Sequence, residues 1–281
     1  MASYMEHKDL ANESIGVSRS HEIADAVHAV LERIAAAERS AGRSEGCVTL
    51  LAATKTRDVG EIMAAIDAGV RMIGENRPQE VTAKMAGLVR QCGERGYALG
   101  AAEERGSMQG GSPKDAAGRK TIPFHLIGQL QSNKINKVLP VVDTIESVDS
   151  LELALKISSR AQARGMEIGV FLEVNESGEA SKSGCEPSEA EGLANRIGAL
   201  PGLALRGLMT VGAHVDDRAV VERGFRHLRE TRDAIANSGE PGTAGCIELS
   251  MGMTHDMDLA IAQGSTIVRV GTALFGERAF I

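Results

Sequence analysis

The feature that most constrains the fold of this chain is an alternation. Short apolar runs at residues 50–56, 70–73, 124–127, 144–146, 168–174, 203–208, 246–249 and 265–270 are separated by segments with helical spacing of their apolar residues. The helical segments fall at 59–68, 79–92, 133–139, 151–164, about 187–199, 220–237 and 257–263. Strands joined through helices pair in parallel, so eight of them in 281 residues predict one closed (β/α)8 barrel of the TIM type. A further amphipathic helix over 21–40, with Ile23, Val27, Val30, Leu31 and Ile34 on one face, precedes the first strand. The domain reading is a polar, frayed tail at 1–19 and a barrel at 20–281.

One stretch breaks the rhythm. Residues 93–120 are rich in Gly, Ser and charge and have no apolar period, so they read as an insertion. They connect a helix to a strand, which places them on the barrel face opposite the one that carries active sites.

Chemistry concentrates at the two ends of the barrel sequence. Residues 249–276 read as two successive strand ends, each turning into a helix start, at Ser250-Met251-Gly252-Met253 and at Gly271-Thr272. Small residues there let backbone N–H groups face an anion, with hydroxyls as extra donors, and the loops after the last two strands of such a barrel are where a phosphate sits. At the other end, Leu50-Leu51-Ala52-Ala53-Thr54-Lys55-Thr56 puts one lysine at the end of an apolar strand. A lysine in that setting is costly unless paired, which points to an amine with a chemical task; an ordinary strand-end lysine is the alternative from position alone.

Several ordered motifs resemble the pyridoxal phosphate homeostasis proteins, single-domain relatives of the N-terminal barrel of alanine racemase. They are Ala53-Thr54-Lys55-Thr56, Ile73-Gly74-Glu75-Asn76-Arg77-Pro78-Gln79-Glu80, the run 124–134 from Phe124-His125, Glu179-Ala180-Ser181-Lys182-Ser183-Gly184, Gly207-Leu208-Met209-Thr210 and the 249–276 segment. The resemblance covers about residue 20 to the end. It implies pyridoxal 5'-phosphate held as a Schiff base on Lys55, with Ser250, Gly271 and Thr272 on the phosphate and Met251 and Gly252 lending backbone. It assigns Arg269 to the pyridine nitrogen. Arg269 lies two residues before Gly271 and so shares its inward face. Because arginine cannot accept the pyridinium proton, it makes the ring a weaker electron sink than an acidic partner would. Asn76 and His125 are placed to flank the cofactor, a packed histidine being the alternative for the second; Met209 and Thr210 resemble pocket walls. Gln131, Asn133 and Lys134, and Ser181, Lys182 and Gly184, belong to two loops that are either part of the site or solvated turns. His255, Asp256 and Asp258 read as helix capping with Thr254, not as a metal site.

Composition excludes other classes. A formal net charge of -7, dispersed Lys and Arg and 2% aromatic residues argue against nucleic acid or an anionic membrane as partner. No apolar run approaches the roughly 20 residues of a membrane-spanning helix, and residues 1–14 have no signal-peptide core. Cys47, Cys92, Cys185 and Cys246 have neither metal nor disulfide spacing, as expected of reduced thiols in the cytoplasm. The expected function is a monomeric carrier that buffers the cofactor and delivers it to apo forms of pyridoxal phosphate enzymes. The alternative is an amino-acid racemase. Alanine racemases add a tyrosine base and a C-terminal β-domain, whereas the two tyrosines here, Tyr4 and Tyr97, fall in the tail and the insertion, and the sequence ends just after the last barrel strand. A second base is missing from this reading.

Overall fold

The computed structural model describes residues 9–100, 120–179, 183–215 and 217–277. Helix α1 (Val17–Ser40) leads into β1 (Thr49–Ala53), α2 (Val59–Asp67), β2 (Met72–Glu75) and α3 (Pro78–Glu94). Two short strands follow, β3 (Tyr97–Leu99) and β4 (Lys120–Ile122), and then β5 (Phe124–Leu126), α4 (Ile135–Val138), β6 (Thr144–Val148) and α5 (Leu151–Gln162). The remainder is β7 (Ile168–Glu173), α6 (Ala190–Gly198), β8 (Leu203–Met209), α7 (Arg218–Ala236), β9 (Glu248–Ser250), α8 (Met257–Ala262), β10 (Ile267–Val270) and α9 (Thr272–Phe275). Eight strands close in the order β1-β10-β9-β8-β7-β6-β5-β2, all parallel, so the predicted barrel is the observed one.

Side chains alternate across each strand. Outward residues such as Leu50, Ala52, Ile73, Phe124 and Val268 pack under the helices in one continuous core. Inward residues form two tiers. Leu51, Met72, Phe171, Met209 and Ile267 make a separate apolar layer inside the barrel, with Ile127 against it. Charged and polar inward residues lie beyond it. Gly74 is small because Leu51 fills its space: a Cβ there would lie 2.4 Å from the Leu51 Cδ2.

Three sequence expectations are corrected. The tail does not extend to residue 19, since α1 begins at Val17 and Leu10 is buried. The reason is the start of α2, whose first N–H groups have no intrahelical acceptor. Val59 N–H donates to the Leu10 carbonyl and Gly60 N–H to that of Asn12. Residues 1–8 lie outside the described residues. The 93–120 insertion is likewise not structureless at its edges, because α3 runs to Glu94 and β3 pairs in parallel with β4, matching Leu99 with the fully buried Ile122. Residues 101–119 lie outside the described set. The capping expectation at α8 also fails in detail. The Asp256 carboxylate accepts the Met253 N–H at 2.6 Å, making no bond into the helix, and Asp258 pairs with Arg218 at 2.5 Å.

Among the described residues no helix is long and apolar enough to cross a membrane. None of the four cysteines is in a disulfide. Burial pushes the Cys92 thiol up to about 11 and those of Cys185 and Cys246 to about 12, which keeps them protonated and unreactive.

Candidate functional site

Lys55 sits in the turn directly after β1, half-buried, at the carboxyl end of the barrel. The strand on one side of β1 is β10, and a Cβ on Gly271 would lie 3.2 Å from the Ala53 carbonyl oxygen and 3.4 Å from the Ala53 Cβ. The strand end that leads into the lysine turn and the Gly271-Thr272 turn are therefore neighbours, close enough that a side chain at Gly271 would crowd Ala53. Arg57 strengthens the join: its guanidinium donates to the Gly276 carbonyl at 2.8 Å and lies 5.6 Å from the Phe275 ring centre. Arg19 donates to the Phe275 carbonyl at 2.6 Å and to Glu61 at 2.8 Å, which ties α1 to the same end of α9.

At the turns after β9 and β10 the expected residues fall into different roles. Thr272 opens α9, exposed, and its N–H and that of Ala273 are first-turn donors with no intrahelical acceptor. Gly252 has φ +93° and no room for a side chain, a Cβ there lying 2.5 Å from that of Ala260. Met251 is corrected: its N–H donates to the Ile267 carbonyl and its side chain is fully buried in the outer core, because it continues the ladder between β9 and β10. It has no backbone donor left for an anion. Ser250 points inward. Its hydroxyl donates to Glu146 Oε2 at 2.6 Å and accepts from Arg269 at 2.8 Å.

Arg269 is inward as the period of two requires, and only 6% exposed. It also donates to the Ser250 carbonyl at 2.6 Å and to the Thr210 carbonyl at 2.7 Å. These three bonds leave two of the five guanidinium N–H groups without a partner among the described residues. Burial lowers the Arg269 pKa, and Glu146, Glu173 and Asp256 raise it in opposition.

His125 is packed within the polar tier. Its Nδ1 lies 2.6 Å from Glu146 Oε1 and its Nε2 lies 3.5 Å from Asp143 Oδ1. Since a carboxylate only accepts, Nδ1 carries the proton toward Glu146. Burial alone would push Glu146 up; the hydrogen bond and charge of His125, the Arg269 charge and the Ser250 hydroxyl together hold it below its ordinary range. Met209 lies in the apolar tier below, 1% exposed, while Thr210 uses its hydroxyl on the Val174 carbonyl at 2.7 Å and its carbonyl on Arg269. Asn76 is half-buried beside the mouth and donates its N–H to Glu75. With Gln79, Gln129, Gln131 and Lys134 it lines a cleft of about 350 Å³ next to the lysine loop. Asn133, with Gln131, lines a larger, open cleft of about 650 Å³ with Asp149 and Glu152. Gly184 is described, with φ +112°; Ser181 and Lys182 lie outside the described residues.

Two groups of residues escaped the sequence reading. The first is Glu146 and Glu173, inward carboxylates on β6 and β7. Period-two logic finds them: Glu146 is two residues from Thr144 and Glu173 two from Phe171, and a buried arginine requires compensating carboxylates. The second is Glu75, Glu80 and Lys84. These three are fully buried, with the Lys84 ammonium 2.6 Å from Glu75 and 3.0 Å from Glu80. Burial raises Glu75 and the Glu80 charge adds to this, with Lys84 opposing.

Glu173 gives a pH prediction. Burial first, then Asp149, raise its carboxyl from 4.5 to about 7, with Arg269 opposing. A carboxyl raised in the folded state binds its proton more tightly there than when unfolded. Its contribution to stability is complete below about 4.5 and lost as pH rises through about 7. Denaturant unfolding should show wild-type stability sloping down across that window, and Glu173→Gln should flatten the slope by an amount of the order of 3 kcal/mol. An unchanged slope in the variant would place the responsible group elsewhere.

A closed parallel barrel with one lysine at the end of β1 and glycine-bearing turns after β9 and β10 defines a structural class, and the family model of the alanine racemase N-terminal domain matches residues 26–279. The chain is 36% identical to the pyridoxal phosphate homeostasis protein of Vibrio cholerae, over 89% of this chain and 93% of the relative. It is also 36% identical to that of Escherichia coli K12, over 92% and 97%. Similar solved structures include an unknown protein from Bifidobacterium adolescentis, 68% identical with a TM-score of 0.89 over 95% of this chain and 100% of that one. Another is PipY of Synechococcus elongatus with PLP bound, 28% identical with a TM-score of 0.68 over 90% and 100%. An alanine racemase from Clostridium difficile, 14% identical with a TM-score of 0.63, covers 94% of this chain and 61% of its own and shares the fold. The chain belongs to the pyridoxal phosphate homeostasis protein family.

Proposed function

We propose that this protein binds pyridoxal 5'-phosphate through Lys55 and serves as an intracellular buffer and carrier of the cofactor. The observation that carries the reading is that the chain leading into the half-buried Lys55 packs against Gly271, where a Cβ would crowd the Ala53 carbonyl oxygen at 3.2 Å. The residues fit the group. Arg269 keeps donors for a ring nitrogen, and Gly252, Gly271 and Thr272 offer a cup for a phosphate. When bound, the cofactor supplies an aldehyde, which condenses with a neutral amine to give a carbon–nitrogen double bond and one water.

The protein's own residues do the rest. Lys55 holds the aldehyde carbon. Thr272 and the adjoining backbone N–H groups would hold the phosphate at the start of α9. Arg269, pinned by Ser250 and Thr210, donates to the ring nitrogen and keeps it unprotonated, with Glu146 and Glu173 balancing its charge. The apolar tier below excludes water from that end. Asn76 and His125 stand on the flanks, His125 through the bond it gives to Glu146. Candidate recipients are apo pyridoxal phosphate enzymes, and the protein acts as a monomer in the cytoplasm.

Racemisation is disfavoured by the position of Tyr97. This tyrosine lies on β3, outside the closed barrel, with the Arg71 guanidinium 5.5 Å from its ring centre. Arg71 in turn donates to the Ile66 and Val70 carbonyls at the start of β2, the end of the barrel opposite Lys55. Efficient inversion needs a base on each face of the substrate, and one general base is worth roughly 10²–10⁴-fold in rate. Incubation with L-alanine or L-serine in deuterated water should give little α-hydrogen exchange, while loaded protein should pass cofactor to an apoenzyme acceptor. Turnover in the ordinary enzyme range of about 1–10³ per second would overturn the carrier reading.

A further inference from the structure

Among the fully buried side chains of the described residues is a lysine, Lys84 on α3, and every proton of its ammonium has an acceptor. Two go to carboxylates, Glu75 Oε2 at 2.6 Å and Glu80 Oε2 at 3.0 Å; the third goes to the backbone carbonyl of Thr54 at 2.9 Å. The same Glu80 oxygen accepts the Thr56 N–H at 2.7 Å. Glu75 Oε2 accepts the Thr54 hydroxyl at 3.0 Å. The cluster thus grips the chain on both sides of Lys55.

The geometry of that grip is specific. The Thr54 carbonyl belongs to the peptide group entering Lys55 and the Thr56 N–H to the one leaving it. Peptide groups are planar, so fixing both leaves the Lys55 Cα–Cβ bond a single direction. The turn has one bond of its own, from the Arg57 N–H to the same Thr54 carbonyl at 2.9 Å, and it carries strain. Thr56 has φ +65°, a left-handed conformation that β-branched residues avoid, and its hydroxyl has no hydrogen-bond partner among the described residues. A buried ionic cluster is also a poor device for stability alone, since apolar residues of the same volume serve as well or better.

We propose that Lys84, Glu75 and Glu80 form a positioning assembly that aims Lys55 at the anion cup, so that a second, buried lysine orients the first. The inference rests on the reading of Lys55 as the cofactor-holding amine. Lys84 itself has no free proton and no exposure, and acts only through the backbone.

The test uses the full chain as wild type, Lys84→Met, Glu80→Gln and Lys55→Ala, each freed of cofactor and mixed with pyridoxal phosphate. Four quantities are measured: the rate of adduct formation by absorbance, the pH midpoint of the adduct spectrum, the lysine modified after borohydride reduction, and the unfolding midpoint without cofactor. Lys84→Met should slow adduct formation at Lys55 roughly ten- to a hundredfold, the scale of a displacement near 1 Å, and shift the pH midpoint. Glu80→Gln, which keeps an acceptor for the Thr56 N–H, should be slowed less. A lower unfolding midpoint with an unchanged rate and pH midpoint in the folded variants would overturn the proposal and leave Lys55 as anchor. Modification of another lysine in the wild type would overturn both. Where Lys84→Met does not fold, Glu80→Gln decides on the same rate and pH midpoint.

Discussion

Lys55→Ala is expected to abolish both the absorbance band of bound pyridoxal phosphate and the borohydride-trapped peptide, while the barrel unfolds at nearly the wild-type denaturant concentration. The two effects separate because of where Lys55 lies. It follows β1, half-buried, outside both the outer core and the inner apolar tier, so its truncation opens no cavity in either. The change in stability should stay within about 1 kcal/mol, the centre of the distribution for single substitutions. Weak, reversible binding should survive through the anion cup, detectable as competition by inorganic phosphate. Wild-type absorbance in the variant, or a reduced adduct on another lysine in the native chain, would dismantle the site assignment. Large destabilisation of the variant would mean that the lysine belongs to the architecture.

Arg269→Met is the second large effect, and there stability itself should fall. The substitution removes a buried cation from Glu146 and Glu173 and a donor from the carbonyls of Ser250 and Thr210. Removing one partner of a buried ionic group typically costs about 3–5 kcal/mol, because the remaining charge is left without compensation. The pH dependence gives the claim its sign. Glu146 is held below its ordinary range in the folded state, so its contribution is present above the unfolded value near 4.5 and lost as pH falls. The deficit of Arg269→Met should therefore be largest at neutral pH and shrink below about 4.5. Urea titrations at pH 7 and pH 4 measure it, and a loss under about 1 kcal/mol at pH 7 would show that Arg269 is not a structural counter-charge.

The barrel was legible because its signal is repeated. Each strand places apolar residues outward, each helix answers with a 3.6-residue period, and a misplaced boundary in one unit leaves the other seven intact. The Lys55 turn, Gly271 and the inward direction of Arg269 were legible for a local reason: position relative to a strand end fixes them. What a lone side chain bonds to was not. Ser250 was expected to face an anion, and its hydroxyl joins Glu146, 104 positions away in sequence, to Arg269. Met251 carries a motif position but spends its N–H on the sheet. Lys84 drew no reading from the sequence, because nothing local distinguishes a lysine that finds two carboxylates and a carbonyl from one in water. The segment 9–16 was read as polar and frayed for the same reason: its value lies in carbonyls offered to α2, and backbone groups carry no sequence signature.

The apolar tier of Leu51, Met72, Phe171, Met209 and Ile267 has a consequence for traffic. It is a stopper across the barrel, so a molecule seated against Lys55 arrives and departs by one door. Under the proposed carrier role, loading and unloading compete for that one threshold. Exchange under such a rule proceeds by turns, each departure clearing the way for the next arrival.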